Sequence, residues 1–154
     1  MSDHYRKEEI RELVESLNVF LADTAIVYYK THGFHWNVEG DNFYGLHLMF
    51  EKFYTKLWKS MDEVAERIRA LGEKVPPNYA DLLRNATILE NETAPQSQVM
   101  VRVLRDDYFA LAKQAYAVCA IASAHGDLIT VDMMTRRATF LEKAAWMLHS
   151  TISD

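Results

Sequence analysis

Four residues in one stretch of the chain carry side chains that ligate divalent metals: His47, Glu51, Asp62 and Glu66. A fifth, His35, lies just upstream in THGFHWNVEGD. Imidazole and carboxylate together suit iron and other first-row divalent ions. The spacing is four within each pair, which on a helix places both members on one face. With His47 set to zero, Glu51 falls at about 40°, Asp62 at about 60° and Glu66 at about 100° on the helical wheel. The four therefore share one stripe. The pair midpoints, however, stand about 22 Å apart along the axis, while metal–ligand bonds span only about 2.0–2.2 Å.

One helix cannot close both pairs on one metal, but two copies can. Two such helices placed antiparallel about a two-fold axis near Lys56 and Leu57 bring His47 and Glu51 of one subunit against Asp62 and Glu66 of the other. Two identical interfacial sites follow, as a closed isologous dimer requires. His35 adds a further nitrogen. Either pair alone is ordinary for a solvated helix face. Here the stripe interrupts an apolar one, with Phe43, Leu46, Phe50 and Phe53 around His47 and Glu51, and a carboxylate among aromatics needs a partner. An intrasubunit di-iron centre would place a Glu-x-x-His motif on each of two helices, and the sequence contains no such motif.

The elements that must hold this stripe are long helices. Ile10, Leu13, Val14, Leu17, Leu21 and Tyr28 recur at helical spacing, predicting a helix from Lys7 to about Trp36 that NVEGD ends. A second is expected from about Asn42 to Leu71, with Gly72 as its stop. After VPPN there is room for a short helix near YADLLRN. Thr93-Ala94-Pro95 predicts the start of a third long helix from Pro95 or Gln96 to about Ala124, and AHGD separates it from a fourth, Leu128 to Ser150. The expectation is an all-α four-helix bundle with a short helix in the connection between its second and third long helices, in one domain spanning 1–154.

The bulk numbers agree. Five glycines and three prolines in 154 residues are too few for a turn-rich β fold. The single cysteine, Cys119, excludes an internal disulfide, suits a reducing compartment and reads as a buried structural thiol. No signal peptide and no span of membrane length are visible, so a cytoplasmic location is expected. A net charge of -5 disfavours phosphate-backbone binding.

The run KTHGFHWNVEG, FYGLHLMFE and MDEVAERIRALG, residues 30–72, resembles the signature of Dps proteins, the bacterial mini-ferritins, and the likeness extends over nearly the whole chain. The resemblance implies a ferritin-like bundle, a hollow shell of twelve subunits, and a ferroxidase that oxidises ferrous iron, usually with hydrogen peroxide, and stores ferric mineral. It implies a centre at the two-fold interface, with ligands at His35, His47 and Glu51 of one subunit and Asp62 and Glu66 of the other. Glu51 stands where aspartate is commoner in the family. Trp36 matches a tryptophan beside the centre, read either as a sacrificial electron donor or as core packing. GDLITVDM resembles the stretch lining acidic three-fold pores, which assigns Asp132 and, less closely, Asp127 to a pore. Asp127 has a rival role as a helix N-cap. His32 and His125 read as surface or hydrogen-bonding residues, and His149 as packed near Trp146. DNA binding is not expected to be strong: Arg6 and Lys7 are followed at once by Glu8 and Glu9. The rival readings are a nucleoid-compacting DNA-binding protein, and a bundle whose interfacial acids only specify pairing.

Overall fold

The computed structural model describes residues 7–152; Arg6 of the basic N-terminal pair lies outside the described residues. The chain forms α1 (Lys7–Asn37), α2 (Phe43–Ala70), α3 (Tyr79–Leu83), α4 (Ser97–Ala124) and α5 (Leu128–His149). Each expected helix is present, with ends shifted by a residue or two. Among the described residues there is no strand, and no helix is long and apolar enough to cross a membrane. The expected four-helix bundle is the observed one.

Short turns join α1 to α2 and α4 to α5, making two antiparallel hairpins. Gly40, at φ 100°, and Gly126, at φ 74°, take left-handed backbone in these turns, where a side chain would be strained. Asp127 accepts from Thr130 N to cap α5, and Asn78 accepts from Asp81 N to cap α3. The hairpins bury one shared apolar cluster, which includes Leu17, Phe20, Phe50, Phe53, Leu57, Leu104, Tyr108 and Leu141. Burying a side chain of this size stabilises by roughly 1.5–3 kcal/mol, so the stripes read from the sequence account for the assembly.

The connection between α2 and α4 is held by α3, by Val75, Leu82 and Ile88 packed against the core, and by two buried charged groups of α1. Asp23, fully buried on α1, accepts from Thr87 N at 2.6 Å, Ile88 N at 2.8 Å, and the side chains of Thr87 and Gln114. Lys30 lies two turns further along α1. Its ammonium donates to Leu89 O at 2.6 Å and to Asp107 at 2.7 Å. A buried carboxylate and a buried ammonium are costly unless satisfied, and both are. The crossing chain is thereby fixed on the hairpin that carries the metal-binding residue types.

Candidate metal centre

His35 sits in the last turn of α1 and His47 in the second turn of α2. The tight turn between them, with Phe43 N donating to Gly40 O at 3.0 Å, folds the two helices back so that the imidazoles meet. Their rings stack at 3.8 Å with 12° between planes, and Phe43 stacks on the far side of His47 at 4.9 Å. His35 Nδ1 donates to His47 O at 2.7 Å, and His47 Nδ1 donates to His35 O at 2.8 Å. A carbonyl oxygen only accepts, so each Nδ1 carries the proton. A neutral imidazole protonated there has its lone pair at Nε2, the arrangement metal-bound histidines use. Two nitrogen donors are thus preset by backbone.

The carboxylates are distributed as the wheel requires. Glu51, one turn beyond His47, is exposed. Asp62 and Glu66 are exposed further along α2, and Asp62 lines a groove with Leu21, Trp58, Met61 and Tyr79. Among the described residues, no three His, Cys, Asp or Glu side chains gather closely enough to hold a metal within one chain. The structure brings His35 and His47 together and leaves Glu51, Asp62 and Glu66 outside that pair.

A third imidazole, which spacing alone did not single out, lies next to the pair. His32 is sandwiched between Tyr54, at 3.8 Å, and Trp36, at 3.9 Å, with its Nδ1 3.1 Å from Tyr28 Oη. Burial, with His35 adding to it, lowers its pKa below the ordinary histidine value, so the ring is biased toward the neutral form. The signal available in the sequence was the i,i+4 run Tyr28, His32, Trp36 on α1. Trp36 itself is 56% exposed, so within the chain it is not a core residue. Trp58 is similarly bare at 58%.

The two aspartates of the pore segment differ. Asp132 is exposed and lies 3.1 Å from Arg136 Nε, one turn on. Asp127 is buried, and both its oxygens accept from Arg67 Nη2 at 2.9 Å. Burial alone would raise its pKa, but the hydrogen bonds from Thr130 and the Arg67 guanidinium hold it below the usual carboxylate range. The N-cap role expected for Asp127 is present: its side chain accepts from Thr130 N at the start of α5. Cys119 is half-buried rather than buried, its Sγ 3.7 Å from Val131 O. His149 and Trp146 are both exposed, so the expected packing of that pair is absent in the chain. His125 is hydrogen-bonded, at 3.0 Å from Glu12.

A family model for the ferritin-like domain matches residues 14–154. DNA protection during starvation protein 2 of Bacillus anthracis is 34% identical over 144 residues, 94% of this chain and 99% of that one. The chain belongs to the Dps branch of the ferritin-like family. A Dps protein from Bacillus brevis superposes with a TM-score of 0.91 at 30% identity, over 96% of this chain and 99% of that chain. A Dps protein from Vibrio cholerae O1 does so with a TM-score of 0.91 at 30% identity, over 97% and 94% respectively. That protein is described as a member of a broad superfamily of ferritin-like diiron-carboxylate proteins.

Proposed function

We propose that this protein is an iron-storing ferroxidase that works as a shell of twelve subunits built from two-fold dimers. The observation that carries the reading is the pair His35 and His47, each fixed by the other's backbone with its Nδ1 engaged, with His47 on the same α2 stripe as Asp62 and Glu66. Membership of the Dps family supports the dimer that closes the stripe, and the diiron-carboxylate description of one relative supports iron as the metal. Exposed Trp36 and Trp58, beside the two halves, are apolar surface of the kind a partner subunit covers.

Ferrous ions are the substrate. His35, His47 and Glu51 of one subunit and Asp62 and Glu66 of the next hold them at the interface. Each hydrogen peroxide takes one electron from each of two ferrous ions and, with two protons, leaves as two waters, so no hydroxyl radical is released. Trp36, stacked on His32 and adjacent in sequence to His35, supplies an electron when ferrous iron runs short. Asp132 draws cations toward the shell.

The test is peroxide-driven oxidation of ferrous iron by the assembled protein and by His47→Ala and Asp62→Ala. Both variants should oxidise iron far more slowly while eluting at the native assembly size. Unchanged rates in intact shells would overturn the assignment. Sizing of the unaltered protein tests the twelve-subunit shell independently.

A further inference from the structure

The last turns of α2 carry two stripes side by side. Asp62 and Glu66 form one; Glu63 and Arg67, each about 100° further round the helix, form the other. The first stripe is exposed. The second is tied to α5. Arg67 donates from Nη2 to both oxygens of Asp127 at 2.9 Å and from Nε to Thr130 Oγ1 at 2.9 Å, and the Arg67 and Asp127 side chains are only 13% and 1% exposed. Glu63 Oε2 lies 3.4 Å from Arg137 and 3.8 Å from Arg136. Further toward the start of α2, Phe53 meets Phe140 of α5 edge to face at 6.1 Å and Lys56 Nζ lies 5.3 Å from the same ring.

We infer that Arg67, supported by Glu63, is a positioning residue that fixes the rotation and height of α2 so that Asp62 and Glu66 present their carboxylates in register. The inference rests on the reading of those two acids as metal ligands. Apolar packing resists separation of two helices but defines their roll poorly, whereas a guanidinium held by two oxygens and a hydroxyl has one geometry. Ligands must sit within about 0.5 Å of their working positions. The clamp occupies the residue immediately after each acid, where a change of roll moves both acids together. Its far end is equally fixed: Asp127 also receives Thr130 N at 3.0 Å, so it is anchored to the first turn of α5.

The experiment titrates the assembled protein with cobalt(II) alone, following the visible d–d bands, with size measured on the same samples. Arg67→Gln should retain the assembly, bind cobalt roughly tenfold more weakly and show altered bands. Arg67→Lys, which keeps the charge, should recover part of that loss. In ferrous oxidation the glutamine variant should raise KM more than it lowers kcat. An assembled Arg67→Gln protein with unaltered cobalt affinity and bands overturns the inference. If that variant does not assemble, Glu63→Gln decides: a fall of roughly threefold supports the clamp, and no change overturns it. Asp62→Asn separates the two claims. Unaltered cobalt binding in an intact Asp62→Asn shell sinks the ligand reading itself; lost binding there, with Arg67→Gln unaffected, sinks only the clamp.

Discussion

His35 and His47 hold each other by main-chain carbonyls: Nδ1 of each lies 2.7 or 2.8 Å from the backbone oxygen of the other. Because the acceptors are backbone, replacing one imidazole leaves the other's orienting bond in place. His47→Ala should therefore keep His35 oriented and abolish only one donor. Losing an outer partner costs roughly 10–100-fold in metal affinity, and losing a ligand should cost at least as much. Cobalt titration of the two single variants and the double variant checks this. Single variants indistinguishable from the unaltered protein would count against the pair as ligands.

The Arg67–Asp127 ion pair makes stability depend on acid. The folded pKa of Asp127 lies below its unfolded value, so its charge contributes stability that is present above the unfolded value and lost as pH falls through the folded one. Asp127→Asn leaves Arg67 buried without its counter-charge, at a cost of about 3 kcal/mol near neutral pH. The gap between variant and parent in denaturant midpoint should narrow steadily on acidification. A gap independent of pH would show that charge is not what Asp127 contributes.

Removing the Asp23 carboxylate strands the amides of Thr87 and Ile88. A donor left unsatisfied costs about 1–3 kcal/mol where it is buried, and less at Thr87, which is exposed, than at half-buried Ile88. Asp23→Ala should lower the melting temperature and accelerate hydrogen exchange at residues 87 and 88 well before exchange in α4 or α5. Uniform acceleration across the bundle would mean the connection is not separately latched.

Trp36→Phe keeps a ring against His32 but raises the oxidation potential of that ring. Iron binding should be retained, while spin trapping during peroxide addition at low iron should reveal more escaping radical. Equal radical yields would remove Trp36 from the electron-donor role.

With a net charge of -5, the protein should retain DNA weakly or not at all at moderate ionic strength. Gel-shift titrations across salt concentrations measure this. Strong retention that falls steeply with salt would favour the nucleoid-compacting reading instead.

The helices were legible because burial writes a period into the sequence: Leu13, Leu17 and Leu21 on α1, or Phe50, Phe53 and Leu57 on α2, mark their faces without any knowledge of neighbours. The metal-binding residue types were legible for the same reason, since i,i+4 pairs declare a shared face. What spacing could not carry is any contact whose partner is distant along the chain. Arg67 meets Asp127 sixty residues away, and the Glu66-Arg67 dipeptide says nothing of which member faces inward. Asp127 was equally consistent with a pore and a cap, and the cap is seen in its bond from Thr130 N, a contact within one chain. Cys119 sits among small apolar residues but on a flank of α4 that α5 only partly covers, so composition overstated its burial.

The crossing segment between α2 and α4 also bears on how the chain can be altered. It is pinned at Thr87, Ile88 and Leu89 by Asp23 and Lys30, while residues 90–94 beyond them are exposed. Tolerance to inserted sequence should change abruptly within that one connection. A peptide tag spliced after Glu92 would hang from a held thread, whereas the same tag between Thr87 and Leu89 would pull the thread off its two pegs.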